Sequence, residues 1–150
     1  MTLRNITPED RELYLELSKG FYTGDATLHP ANFTFINRTF DECISDSPFA
    51  KAYILEEAGK PAGFALFSFT WSNESGGMVA LLEELYVAPE YRGMRLGTQF
   101  MDWMLLTFKD MTRIRLEVCH CNSGARRLYE RYGFTLLDYE QMVLDKETNA

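Results

Sequence analysis

Several absences limit what this chain can be. No apolar run approaches the roughly 18 consecutive residues that a membrane-spanning helix needs, so we expect a soluble protein without a membrane partner. Only 15 Lys and Arg stand against 22 Asp and Glu, and the formal charge is −7. This balance argues against nucleic-acid binding, because phosphate contacts need clustered cations. An acidic exterior suits a cationic substrate instead.

Cysteine is scarce, and its spacing is not that of a disulfide framework. Cys43, Cys119 and Cys121 are odd in number, and the first residues lack the features of a secretory signal. We therefore expect reduced thiols and a cytoplasmic location. Cys119-His120-Cys121 does not predict a zinc site, because an extended strand points alternate side chains to opposite faces and no second pair supplies ligands. We interpret these two cysteines as buried thiols and predict no metal.

No repeat, low-complexity tract or linker divides the sequence, so residues 1–150 are predicted to form one domain. Thr7 as N-cap, followed by Pro8 and by Asp10 three residues after the cap, predicts the start of a first helix that ends near Gly20. Apolar periodicity predicts a mixed α/β fold with a sheet of six or seven strands and about four helices. The predicted strands are 3–6, 51–57, 62–71, 78–87, 114–118, 134–137 and 141–144, and the later helices are 33–44, 98–108 and 125–132, the last closed by Gly133.

The most informative segment is 82–97, in which an acidic strand leads through Pro89 into a glycine-punctuated turn that opens a helix. Such a turn directs unpaired N–H groups and the positive end of a helix dipole at an anion. A Walker motif is excluded because no Gly-Lys-Ser/Thr follows, and a dinucleotide fingerprint is excluded because G-x-G-x-x-G is absent. The segment therefore predicts another way of binding a phosphorylated cofactor.

The turn from Arg92 to Gly97 resembles the acetyl-CoA motif of the GNAT N-acetyltransferase superfamily, Arg/Gln-x-x-Gly-x-Gly/Ala. Arg95 occupies the slot of the middle glycine, where a Cβ opposes a comfortable positive φ and a close backbone approach. We expect its guanidinium to compensate by contacting a cofactor phosphate. A second segment, from Asn122 to Phe134, is similar to the family's pattern N-x-x-A-x-x-L-Y-x-x-x-G-F. Together the two motifs imply the GNAT fold.

The resemblance implies acetyl-CoA as cofactor, with its pantetheine arm lying as a pseudo-strand in a gap beside the acidic strand. The main chain of Leu85 to Val87 would pair with that arm, and the Val87 N–H would face the thioester oxygen as a single oxyanion donor. The amides of the turn would hold the diphosphate. The implied cofactor-binding residues are Leu85, Tyr86, Val87, Arg92, Gly93, Met94, Arg95, Leu96, Gly97, Thr98, Asn122, Ala125 and Tyr129.

The chemistry requires a base, because an alkyl amine of pKa near 10.4 is only about one part in 10³ neutral at pH 7. Glu83 lies nine positions before Arg92, as does an acidic residue in the spermidine/spermine acetyltransferase branch, and is the predicted base, acting through a water. Glu84 is the alternative, since strand alternation puts the two carboxylates on opposite faces and a bulge could exchange their roles. Without the motif, both would be interpreted as strand-edge charges. Tyr129 is the implied proton donor to the leaving thiolate.

These residues predict an N-acetyltransferase that moves an acetyl group directly to a primary amine, most simply a small cationic one. Tyr22, His29 and Trp71, together with Glu83, are candidates for contacting that amine, and the loop 21–32 is expected to help shape its pocket. A protein or peptide amine is one alternative, and a non-catalytic acyl-CoA-binding module is another. A homodimer is a family tendency.

Overall fold

The computed structural model describes residues 1–24 and 27–147, so residues 25 and 26 of the predicted acceptor loop and residues 148–150 lie outside the described residues. One sheet of five strands runs in the order β1-β2-β3-β4-β5. The first four strands pair antiparallel, and β5 pairs parallel to β4. The strands are β1 (Thr2–Asn5), β2 (Ala50–Glu57), β3 (Lys60–Ser72), β4 (Gly77–Val87) and β5 (Arg113–Leu116), and the helices are α1 (Arg11–Tyr22), α2 (Phe33–Ile44), α3 (Leu96–Thr107) and α4 (Ser123–Arg131).

Each face of the sheet packs against its own helices. Phe64 of β3 joins Tyr14 of α1 and Phe40 of α2 in one core, and Phe67 of β3 joins Phe100 of α3 in the other. Phe64 and Phe67 are fully buried, so β3 is a central strand covered on both faces, as its two apolar faces predict. Within the described residues, no helix is long and apolar enough to cross a membrane.

The first helix begins as predicted but ends later. The Thr7 N–H donates to the Asp10 carboxylate over 2.8 Å, and a short 3-10 turn over Pro8–Asp10 leads into α1. Gly20 does not end the helix, which continues to Tyr22. The glycine is there because the Tyr86 ring packs on it, and a Cβ would collide with the Tyr86 hydroxyl. This extra half-turn brings Tyr22 to the sheet.

The two predicted C-terminal strands, 134–137 and 141–144, are wrong, and the sheet formed by the described residues has five strands rather than six or seven. Gly133 follows α4 with a φ of +89°, as a helix C-terminus prefers. From there to residue 147 the described chain adopts no strand, and Met142 is 96% exposed. Near its end, an exposed Arg38–Glu147 ion pair of 2.7 Å connects the segment to α2. Alternation of apolar residues predicts which face of a strand would be buried. It does not ensure that a free edge of the sheet is available for that strand to pair with.

Candidate functional site

The site is built around β4, which extends beyond the end of its parallel neighbour, β5. Pairing between β4 and β5 ends at the Leu82–Leu116 pair, whereas β4 continues to Val87 and stays paired with β3 as far as the Gly63–Val87 pair. Along the stretch from Leu85 to Val87, therefore, one edge of β4 has no ladder partner among the described strands. An extended ligand with amide groups could pair with such an edge.

A β-bulge lies just before this open edge. Leu66 of β3 is opposite Glu84, but Phe67 is opposite Leu82, so Glu83 has no partner in the register. Regular alternation would put residues 82 and 84 on the same face. Instead, Leu82 packs in the core against α3, whereas Glu84 lines a cleft on the opposite, α1/α2 side of the sheet.

The bulge also turns Glu83 toward the α1/α2 side. The Ser68 hydroxyl donates to the Glu83 carboxylate over 2.6 Å. Ser68 alternates with Phe67 along β3 and so lies on the face of Leu66, which packs in the α1/α2 core. Both carboxylates therefore occupy one side of the sheet, Glu83 exposed and Glu84 half-buried. The strand alternation that predicted opposite faces does not hold across the bulge.

Glu84 is the carboxylate inside the cleft. The cavity has a volume of about 200 Å³ and is lined by Tyr14, Tyr22, His29, Phe35 and Glu84, among others. The Tyr22 hydroxyl donates to the Glu84 carboxylate over 2.7 Å. Burial raises the pKa of Glu84 to about 6, with the negative charge of Glu83 adding to the rise and the hydrogen bond from Tyr22 opposing it. Glu84 thus changes charge close to neutral pH, where general bases work well.

The turn before α3 contains two left-handed residues and leads into the N-terminus of that helix. Gly93 has a φ of +78° and Arg95 a φ of +60°, so the slot of the middle glycine adopts the left-handed conformation although it carries a Cβ. Arg95 is the residue preceding α3, whose first N–H groups have no partner within the helix. A Cβ on Gly97 would lie 3.1 Å from the Leu128 Cδ2 atom of α4, so that glycine allows the two helices to approach.

Arg92 is oriented along β4. Its Nε donates to the Val87 carbonyl over 3.0 Å, and its guanidinium lies 5.9 Å from the centre of the Tyr86 ring. The side chain is exposed. Arg92 thereby connects the helix-opening turn to the end of the open edge. Its positive charge lies beside the backbone of Val87, the last residue of β4.

The second motif, residues 122–134, contains the whole of α4. The Asn122 side chain caps this helix by accepting from the Ala125 N–H over 3.2 Å. About two turns further along the helix, the centre of the Tyr129 ring lies 6.1 Å from the centre of the Phe134 ring. Burial raises the pKa of Tyr129 above its ordinary value, so its hydroxyl keeps its proton at neutral pH. Tyr132 ties α4 to α3 by donating to the Thr98 carbonyl over 3.1 Å.

The structure separates the residues expected to contact the amine. Tyr22 and His29 line the cleft, and Tyr22 also hydrogen-bonds Glu84. Trp71 does not belong to the cleft lining: it pairs with Met78 near the tip of the β3–β4 hairpin and is 67% exposed. Tyr14 was missed, although its spacing of eight residues from Tyr22 puts both on one face of a helix.

Two proteins of similar sequence are N-acetyltransferases by name. An uncharacterized N-acetyltransferase of Methanocaldococcus jannaschii, MJ1207, is 29% identical over 136 residues, which cover 89% of this chain and 60% of that protein. The thialysine N-epsilon-acetyltransferase of Bos taurus is 33% identical over 89 residues, covering 55% of this chain and 52% of that protein. The chain thus spans only about half to three-fifths of the length of these relatives.

Structural similarity extends along almost the whole chain. The crystal structure of a possible acetyltransferase from Clostridium difficile 630 superposes with a TM-score of 0.82 at 15% identity, covering 98% of both chains. Together with the open edge of β4 and the helix-opening turn, this likeness defines the acetyltransferase fold class. The chain matches the Acetyltransferase (GNAT) family over residues 12–134 and belongs to that family. The narrower resemblance to the spermidine/spermine branch stays a prediction.

Proposed function

We propose that this protein transfers the acetyl group of acetyl-CoA directly to the primary amine of a small cationic molecule. The observation that carries the proposal is the Glu84 carboxylate, which lies in a cleft on one side of β4 just before the strand edge left open by β5. A proton acceptor and a place for an extended cofactor thus adjoin each other on one strand. No covalent intermediate with the protein is needed.

The residues around the open edge fit acetyl-CoA, which supplies an activated thioester when bound. The main chain of Leu85, Tyr86 and Val87 would pair with the pantetheine arm, and the Val87 N–H would donate to the thioester oxygen. The amides of the turn from Gly93 to Gly97 and of Thr98 would hold the diphosphate at the positive end of α3. The fit rests on the left-handed residues of that turn and on the missing ladder partner of β4.

Cationic side chains would complete the phosphate contacts. Arg92 and Arg95 are exposed beside the turn, and guanidinium groups bind phosphates through paired hydrogen bonds. Asn122 and Ala125, at the start of α4, would contact the cofactor from the second motif. These assignments extend the family resemblance to individual residues of this chain.

Glu84 is the better placed of the two candidate bases. A protonated amine has no lone pair with which to attack, so the enzyme must remove a proton before transfer. Glu84 has a pKa of about 6 and faces the cleft, so it is mostly ionised at pH 7.5 and can accept that proton. Glu83 is exposed and hydrogen-bonded by Ser68, and its role as base through a water is the second alternative.

Tyr129 would donate a proton to the departing thiolate. Its hydroxyl is protonated at neutral pH, since burial only raises a pKa that is ordinarily about 10, and a phenol is a suitable acid for a thiolate leaving group. The direction of proton flow is then from the amine to Glu84 and from Tyr129 to sulfur.

The cleft has room for a small amine or for the amine-bearing end of a single side chain. Its volume of about 200 Å³ suits a side chain or small molecule, and its Glu84 and Tyr22 offer a charge and an aromatic ring to an ammonium group. The bovine relative is a thialysine acetyltransferase by name, which supports an amino-acid-like amine. Homodimerisation stays a prediction from the family resemblance.

The test of this function is thiol release from acetyl-CoA with a panel of amines, measured beside acetyl-CoA binding by calorimetry. We expect saturable turnover with at least one small diamine or basic amino acid. Turnover only with peptides would replace the proposed acceptor class. Tight binding without turnover for any amine would instead indicate a non-catalytic acyl-CoA-binding module.

A further inference from the structure

The loop between β5 and α4 brings two thiols together. Cys119 and Cys121 flank His120, and their sulfur atoms lie 2.7 Å apart. The Asn122 N–H donates to the Cys119 carbonyl over 2.9 Å, which is the hydrogen bond of a β-turn. In an extended strand the same two side chains would be separated by about 6.6 Å along the chain. The turn, which the strand interpretation of this segment did not foresee, is what makes them neighbours.

One member of this dithiol is more accessible than the third cysteine, Cys43, which is half-buried. Cys121 is exposed and Cys119 half-buried, so the expectation of two buried thiols is wrong for Cys121. Burial, with the neighbouring charge of Glu42 adding to it, raises the pKa of Cys43 to about 12. Because the thiolate is the reactive form of cysteine, Cys43 is an internal control of low reactivity.

The described residues near this pair do not complete a zinc site. Within the described residues, no group of three or more His, Cys, Asp or Glu side chains is arranged to hold a metal ion, and a structural zinc site needs four ligands. Two adjacent thiols, one of them exposed, are instead suited to thiol–disulfide exchange.

We propose that Cys119 and Cys121 form a site of reversible oxidative modification, at which a low-molecular-weight disulfide converts the dithiol into an intramolecular disulfide. The exposed Cys121 thiolate attacks one sulfur of the small disulfide, forming a mixed disulfide and releasing one small thiolate. The Cys119 thiolate then attacks the Cys121 sulfur and releases the second. The protein loses two protons and two electrons, and the small disulfide is reduced to two thiols.

Closing this bond changes the backbone that positions Asn122. Asn122 is both the last residue of the turn and the N-cap of α4, where its side chain accepts from the Ala125 N–H. A disulfide across the turn constrains the residues immediately before that cap. This consequence rests on the proposed function, in which Asn122 contacts acetyl-CoA: we expect the oxidised protein to bind acetyl-CoA about fivefold more weakly than the reduced protein.

The modification is tested by equilibrating the folded protein in buffers with a series of ratios of reduced to oxidised glutathione. Remaining thiols are then alkylated, and tryptic peptides are weighed. Both cysteines fall in peptide 116–126, whereas Cys43 falls in peptide 39–51. We expect peptide 116–126 to become about 2 Da lighter and resist alkylation as the buffer becomes more oxidising. A peptide that stays doubly alkylated, or that ends as a stable glutathione adduct, would overturn the proposal.

Variants separate the two parts of the proposal. Cys43→Ser should still form the bond, and Cys121→Ser should abolish it and leave acetyl-CoA binding insensitive to oxidation. If reduced and oxidised wild-type proteins bind acetyl-CoA equally, the coupling to Asn122 is wrong. If the reduced protein does not bind acetyl-CoA at all, the proposed function fails, while the peptide masses still decide whether the disulfide forms.

Discussion

The Tyr22 hydroxyl at the end of α1 donates a 2.7 Å hydrogen bond to the Glu84 carboxylate on β4. The contact joins a helix to the middle of the sheet and orients Glu84, the one carboxylate among the described residues that line the cleft. Burial raises the pKa of Tyr22 above its ordinary value, and the charge of Glu84 raises it further. Tyr22 therefore remains a hydrogen-bond donor throughout the pH range in which Glu84 titrates.

Tyr22→Phe should move the acid limb of the pH–rate profile to higher pH. The hydrogen bond from Tyr22 lowers the pKa of Glu84 against the effect of burial, so its removal lets that pKa rise above about 6. We expect the midpoint of kcat/KM to shift upward by about 0.5 to 1 pH unit. Rates with saturating acetyl-CoA, measured between about pH 5 and pH 9, check this. A downward shift or an unmoved midpoint would remove Tyr22 as the residue that tunes Glu84.

Glu84→Gln should stabilise the protein at neutral pH while it impairs catalysis. The pKa of Glu84 is raised from 4.5 to about 6 on folding, so the folded state binds this proton more tightly than the unfolded state. The corresponding stability is present below pH 4.5 and is lost as the pH rises through about 6. As the pH rises from 4 to 8, we expect the free energy of unfolding of the variant to increase by about 1–2 kcal/mol relative to that of wild type.

Urea unfolding of wild type and Glu84→Gln at both pH values measures this difference. Glu83→Gln is the matched control, because Glu83 is exposed on the same strand and its substitution should change the free energy of unfolding little. If Glu84→Gln is equally destabilised at both pH values, the contacts of the Glu84 side chain, rather than its charge, determine its contribution to stability.

Arg95 combines a strained backbone with a charge beside the helix-opening turn. Its φ of +60° costs a residue with a Cβ about 1 kcal/mol compared with glycine. Arg95→Gly should therefore be about 1 kcal/mol more stable than Arg95→Ala in denaturant unfolding. Both variants remove the guanidinium, so both should lose a similar several-fold factor in acetyl-CoA affinity by calorimetry. Unchanged affinity in both would show that Arg95 does not contact the cofactor.

Gly20 and Gly124 should respond in opposite ways to an added methyl group. Both lie within helices, where alanine ordinarily stabilises by up to about 1 kcal/mol. At Gly20 the new Cβ meets the Tyr86 ring, whereas at Gly124 it meets nothing within 4 Å. We expect Gly20→Ala to destabilise by about 1–3 kcal/mol and Gly124→Ala to be neutral or stabilising.

Thermal and urea unfolding of the two variants decide this comparison. Because Tyr86 lies on the open edge of β4, two residues after Glu84, Gly20→Ala should also reduce kcat/KM. Similar effects of the two substitutions on stability would mean that α1 does not press on Tyr86.

Short-range signals predicted much of this fold correctly. Asn32 caps α2 through the Phe35 N–H at 3.2 Å, and α2 spans Phe33–Ile44, the range predicted from apolar spacing. The end of α4 at Gly133 also follows from local chemistry, since a left-handed residue there favours glycine. In these cases the neighbours that determine the structure are within one helical turn.

The wrong predictions concern features that are determined by residues far away in the sequence. Gly20 is explained only by Tyr86, which lies 66 positions further along the chain, and the C-terminal strands fail because a strand needs an edge as well as a pattern. The choice between Glu83 and Glu84 depends on the register between β3 and β4. A bulge changes that register without leaving a mark in the composition of either strand. The sequence therefore identified both carboxylates but could not say which one enters the cleft.

The central claim is that Glu84 removes the proton of an amine bound in this cleft, and comparing Glu84→Gln with Glu83→Gln tests it most directly. Both are assayed for thiol release with the best amine, across about pH 6 to pH 10. We predict a loss of about 10²-fold or more in kcat/KM for Glu84→Gln at pH 7, partly recovered at high pH as more amine is neutral, and a small loss for Glu83→Gln. A nearly unchanged Glu84→Gln enzyme beside an inactive Glu83→Gln enzyme would contradict the account.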